Sequence, residues 1–136
     1  MPRTFARRTA LVTVAAATVL AATVLGGTAN ASTSAPYIGN GYTNNTHAVW
    51  CVQRMINYAI DRGRYWGVAK VAEDGAWGPK TRQAVVDVQK GTGGGLKADG
   101  IVGPQTGDML MFEGDPYYSG GGAGNGYCHT YLPTTY

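Results

Sequence analysis

Charge is scarce in this chain: Asp, Glu, Lys and Arg make up only 14% of its 136 residues, eleven bases against eight acids. Three of the bases, Arg3, Arg7 and Arg8, stand at the very start, so Ser32 to Tyr136 is formally neutral. A neutral remainder has no basic patch to hold nucleic acid. Histidine is scarcer still. His47 and His129 are the only two, and neither has metal-ligand spacing to another His or a carboxylate pair, so no metal or cofactor motif is present. His129 beside Cys128 does not make a base and thiol nucleophile, because adjacent side chains rarely face one another. Long apolar runs are missing too, with one exception at Ala10 to Leu25.

That run follows the basic start and precedes Ala29-Asn30-Ala31, small residues at the two positions a signal peptidase reads. Residues 1–31 therefore read as a secretory signal peptide. The alternative, a membrane anchor, suffers from the shortness of the run and the lack of a basic stop-transfer cluster. Nothing after it reads as a membrane segment, which points to a secreted, extracellular or wall-associated protein. Export makes a disulfide the natural state of Cys51 and Cys128, the only cysteines. Free thiols and an intermolecular bridge are the alternatives. Closing so long a loop stabilises a fold by ~4 to 5 kcal/mol in the chain-entropy model.

What the sequence does have is a repeat. Asp74-Gly75-Ala76-Trp77-Gly78-Pro79-Lys80-Thr81 returns 25 residues later as Asp99-Gly100-Ile101-Val102-Gly103-Pro104-Gln105-Thr106. Both copies read Asp-Gly-x-x-Gly-Pro-x-Thr. Asp-Gly suits a tight turn in which the glycine takes positive φ and the carboxylate bonds backbone N–H groups ahead of it. The second glycine leads into a proline, which is at home in the first turn of a helix. Asp74, Gly75, Gly78, Asp99, Gly100 and Gly103 are thus structural loop residues. Asp74 and Asp99 also invite comparison with a glycosidase carboxylate pair, but their identical loop contexts argue for two turn aspartates.

Two such loops, each opening a helix, resemble the secreted bacterial peptidoglycan-binding domain, a small three-helix module with an internal repeat. Val49-Trp50-Cys51-Val52-Gln53-Arg54-Met55-Ile56 is similar to that family's first helix, with Gln53 on its glutamine. Thr81 to Gln89 resembles the second helix, and Gly95 to Pro104 the closing signature. The resemblance covers roughly residues 46–111. It implies an all-α fold and non-catalytic binding of bacterial cell-wall peptidoglycan, through the glycan strand or stem peptide, by a free-standing module.

The expected map is a signal peptide at 1–31, an extended lead-in at 32–45, the helical domain at 46–112 and a Gly/Tyr-rich tail at 113–136. The first helix runs from Thr46 or His47 to Arg62 with Thr46 as N-cap, and Val49, Val52, Ile56, Ala59 and Ile60 share its core face. Cys51, Met55 and Tyr58 fall on the far side. A Cys51–Cys128 bond therefore wraps the tail over that outer face, pinning it to the domain without tying the core together. The second helix spans Pro79 to Lys90, with Thr81, Ala84, Val85 and Val88 on one face and Arg82, Val86 and Gln89 on another. Leu96 returns to the core. A short third helix from Pro104 to about Met111 buries some of Met109, Leu110 and Phe112, weakened by Gly107. Arg64 to Glu73 is longer than the family's usual link.

Glycan and peptide strands offer hydroxyls, amides and apolar sugar faces, which suit exposed rings and fixed polar side chains. Tyr65 and Trp66, in a loop, are the first candidates for ligand contact, against packing under their own loop. Trp77 is weaker, since it occupies the position of Val102 in the other copy and reads as a buried anchor. Arg82 and Gln89, on the outer strip of the second helix, suit a stem-peptide carboxylate or amide, or else form a solvated face. The alternative function is a secreted protein-binding or inhibitory domain, with the tyrosine-rich tail as its surface. A monomer is expected.

Overall fold

The computed structural model describes residues 33–121 and 125–136. The expected signal peptide lies outside the described residues. The fold is all-α: helices α1 (Thr46–Asp61), α2 (Pro79–Gly91) and α3 (Pro104–Glu113), a one-turn α4 (Pro116–Ser119), and a 3-10 turn at Tyr127–Thr130. Among the described residues there is no strand, only one antiparallel bridge between Ile38 and Val102.

The helix starts follow from local chemistry. Asn45, not Thr46, caps α1: its side-chain oxygen accepts from the backbone N–H of His47 and Ala48. An amide one residue earlier reaches the orphan donors of the first turn, and Thr46 becomes the first helical residue. Helices α2 and α3 start alike, with Gly78 and Gly103 extended at the cap and Pro79 and Pro104 in the first turn.

The core is a single cluster. Val49, Val52, Ile56 and Ala59 of α1 pack with Ala84, Val85 and Val88 of α2 and with Leu110 and Met111 of α3. Ile38 joins it from the extended lead-in, whose sequence has no core periodicity. Cys51 and Met55, on the outer side of α1, are fully buried as well, because the tail covers them. Full burial of a methionine contributes about 1.5–3 kcal/mol.

The Cys51–Cys128 disulfide lies inside this cluster, with Leu132 of the tail beside it. The tail is therefore a second wall of the core, which corrects its expected role as an appendage. Several fasteners hold it there. Arg54 donates to Asp115 through Nε (3.1 Å) and Nη2 (2.6 Å), and Asp115 in turn caps α4 by accepting from Tyr117 N–H. Asp108 accepts from both the N–H and the hydroxyl of Thr135. Gly107 marks the crossing point: a Cβ there would lie 1.7 Å from the Pro133 carbonyl oxygen. The glycine that lowers the helix propensity of α3 is what lets the tail lie against it.

Of Met109, Leu110 and Phe112, some of which were expected inside, Leu110 is buried and Phe112 is not, and Leu96 falls short of the core expected for it. Phe112 is 83% exposed, because α3 buries Thr106, Gly107, Leu110 and Met111 and Phe112 falls nearly opposite. Leu96 stays half-buried on a loop. The long link after α1 forms no helix. Asn57 holds it in place, its amide donating to Val71 O (2.8 Å) and its carbonyl accepting from Val71 N–H (3.0 Å).

Candidate functional site

The two Asp-Gly loops are built by one recipe. In the first, Asp74 Oδ1 accepts from Ala76 N–H, and Gly75 turns with φ +71°. In the second, Asp99 Oδ1 accepts from Ile101 N–H, and Gly100 turns with φ +73°. Each loop is then braced from the preceding helix by a buried glutamine. The Gln53 amide donates to Ala76 O (3.1 Å), Thr81 Oγ1 (3.2 Å) and Asp74 Oδ1 (2.9 Å), while its carbonyl accepts from Gly75 N–H (2.9 Å). Gln89 does the same for the second loop, donating to Ile101 O (2.9 Å) and Thr106 Oγ1 (3.1 Å) and accepting from Gly100 N–H (2.9 Å).

Both loop carboxyls sit below their usual value. For Asp74 the cause is the Ala76 N–H, then the Gln53 amide. For Asp99 burial alone would push the value up, but the Ile101 N–H, Lys97 and Gln89 outweigh it. A lowered carboxyl holds its charge in the turn, where it accepts from the backbone N–H ahead of it.

These contacts relocate several candidates. Gln89 was expected on an outer strip, yet it is 1% exposed and its amide faces the loop. Val86 on the same strip is buried as well, because the second loop folds back over that side of α2. Arg82 also points to this loop, its Nη2 donating to Asp99 O at 3.2 Å. Tyr65 is a core residue: its hydroxyl donates to Glu113 Oε2 (2.5 Å), and its ring fills the space that Gly91 leaves by having no side chain. Burial and the Glu113 carboxylate push the phenol well above its usual range.

Trp66, next to Tyr65, is 94% exposed. Trp77 is half-buried against the core, with its indole N–H donating to Asn40 Oδ1 (3.0 Å). The five candidates therefore do not form one site. Trp66 alone presents a free ring, Trp77 and Arg82 border the loops, and Tyr65 and Gln89 belong to the interior.

Each loop instead opens a cleft. Beside the first lies one of about 380 Å³, floored by Gln53 and Thr81 and walled by Val71, Ala72, Asp74 and Lys80. Beside the second lies another of about 380 Å³, floored by Gln89 and Thr106 and walled by Leu96, Lys97, Asp99 and Gln105, with Tyr37 added. The first cleft adjoins a further hollow of about 280 Å³ that shares Val71 and Lys80 and adds Lys70 and Gln83.

Residues 61–110 match the family model described as a putative peptidoglycan binding domain. No curated protein and no solved structure gives a match. The matched range contains both Asp-Gly loops, Trp66 and all of α2. Most of α1 and the whole tail fall outside it.

The tail forms a different surface. Tyr117 packs edge-on to Tyr118 (4.9 Å between centroids), Tyr118 on Trp50 (5.0 Å) and Trp50 on Tyr127 (6.1 Å). Tyr127 meets Tyr131 (5.0 Å), which stacks on His47 (5.2 Å). His47 Nδ1 lies 2.5 Å from the Tyr127 hydroxyl. The sequence predicted a tyrosine-studded strap. It did not reveal that Trp50 and His47 of α1 interleave with it, since that pairing depends on where the disulfide sets the tail.

Proposed function

We propose that this chain binds bacterial cell-wall peptidoglycan without cleaving it, outside the cell membrane and as a monomer. The observation that carries this reading is the family match across residues 61–110, the segment that supplies both loops and all the lining of the two clefts except Gln53 and Tyr37. The chemistry agrees with it. The clefts combine apolar walls with a few polar side chains, Asp74 and Lys80 in the first and Lys97, Asp99 and Gln105 in the second, as a glycan bearing acetamido groups and a short peptide require. Trp66, exposed on the loop ahead of the first cleft, offers a ring face for a sugar.

Purified sacculi stripped of protein provide the test. The oxidised chain from Ser32 to Tyr136 is expected to sediment with them and to remain bound as salt rises. Trp66→Ala should weaken retention several-fold and leave the unfolding midpoint unchanged, because the ring is exposed. A folded protein that stays in the supernatant overturns the proposal.

A second reading, a secreted protein partner, is favoured by the continuous ring surface of Trp50, Tyr117, Tyr118, Tyr127 and Tyr131. Aromatic residues dominate the energetic centres of protein interfaces. Retention on protein-free sacculi that survives Tyr117→Ala and Tyr127→Ala counts against it.

A further inference from the structure

The two clefts correspond residue for residue. Val71, Ala72, Asp74, Ala76, Gly78, Pro79, Lys80 and Thr81 line the first. A shift of 25 positions converts these into Leu96, Lys97, Asp99, Ile101, Gly103, Pro104, Gln105 and Thr106, and all eight line the second. The floor glutamines, Gln53 and Gln89, correspond as well, each braced against its own loop. Both clefts have the same volume, about 380 Å³. The turn glycines also face matching places on the preceding helix: a Cβ on Gly75 would strike Thr46 of α1, and a Cβ on Gly100 would strike Arg82 of α2.

We propose that the chain is bivalent, its two clefts taking two like units of one repeating wall polymer. This rests on the wall-binding reading and adds the stoichiometry to it. The floor glutamines are engaged in bracing the loops. It is the corresponding walls, set at corresponding places, that take the same kind of unit twice, and a repeating polymer of sugars and short peptides supplies it. The spacing fits such a ligand. Thr81 of the first cleft and Gln89 of the second lie on one helix, eight residues apart, about 12 Å at the usual helical rise. Three to four residues of extended chain cover that distance, roughly. The clefts are not identical in charge. Lys80 in the first is replaced by Gln105 in the second, where Lys97 instead pairs with Asp99 (3.5 Å). The first cleft is therefore the more selective for a carboxylate.

Disaccharide-peptide fragments released from purified wall by a muramidase, as monomers and as glycan-linked dimers, serve as probes. Calorimetry on the oxidised chain should give two monomers bound per protein but one dimer. The dimer should bind at least about tenfold tighter, since its second half binds intramolecularly. Lys80→Trp and Gln105→Trp, both at exposed helix positions, should each reduce the monomer stoichiometry to one and remove the dimer's advantage. Amide NMR shifts provide a check without substitution: Gly75 and Gly100 N–H signals should both move on titration with the monomer.

A wild-type stoichiometry of one, or movement of only one glycine signal, overturns bivalency and leaves wall binding standing. Undiminished retention of the double variant on sacculi does the same. If the wild-type chain is not retained on sacculi at all, wall binding fails and bivalency fails with it.

Discussion

The first and second Asp-Gly loops share a glutamine brace and differ in what lies behind them. At corresponding positions, Val102 is fully buried and exchanges two backbone hydrogen bonds with Ile38, at 3.1 and 2.8 Å, whereas Trp77 is half-buried and reaches Asn40 through its indole N–H. The lead-in thus seals one loop with backbone and the other with a side chain. The connections differ as well: 22 residues separate Gln53 from Gly75, but 11 separate Gln89 from Gly100. The extra length is the link carrying Trp66, tied down by Asn57. What stays constant is the brace. Backing and link length vary without altering the loop, so the loop geometry rests on what both copies keep: the glutamine brace and the turn aspartate.

Removing the brace should therefore have the largest effect. Gln53→Ala and Gln89→Ala each leave a buried glycine N–H without its acceptor and remove the amide from which Thr81 or Thr106 Oγ1 accepts, at a cost of about 3 kcal/mol. Denaturant unfolding should show the two losses to be similar. A loss under about 1 kcal/mol for either variant would mean that the backing holds the loop. Next are the glycines. Gly75→Ala places a Cβ 2.8 Å from the Thr46 carbonyl oxygen, which is backbone, and should cost about 3 kcal/mol. Gly100→Ala meets Arg82 Cγ at 2.9 Å and Val86 Cγ2 at 3.0 Å, side chains and not backbone, and should cost about 2 kcal/mol, left-handed strain included. Equal costs would remove this distinction between the copies.

Smaller still is Trp77→Val, which makes the first loop like the second and should cost about 1 kcal/mol, because the ring is only half-buried. The smallest effect concerns pH. Both loop aspartates lie below the usual 3.8, so the stability they lend is fully present above that value and is lost as pH falls through their lowered pKa. Thermal midpoints should be flat in the carboxylates' charged range and decline below about pH 4. Asp74→Asn with Asp99→Asn should flatten that acid limb.

Helix positions and both loops were legible in the sequence, because proline, glycine and the apolar period are local signals. The site was less so. Gln89 looked like an outer residue because α2 was read with a single buried face, whereas the loop after it covers a second. The signal was present: Gln53 and Gln89 each precede an Asp-Gly loop, and the brace of the first copy predicts that of the second. Tyr65 and Phe112 exchanged places for a reason that no local pattern carries. The tyrosine fits against Gly91, a partner distant in the chain, and the tail crossing at Gly107 fixes which face of α3 turns inward.

The Cys51–Cys128 bond has one more consequence, for the chain's integrity as a covalent object. It spans 77 positions, so one peptide-bond break anywhere between those cysteines leaves a single molecule. A protease clipping the exposed Trp66 loop would open the backbone without releasing a fragment. Such a nicked protein would run as one band before reduction and as two after it.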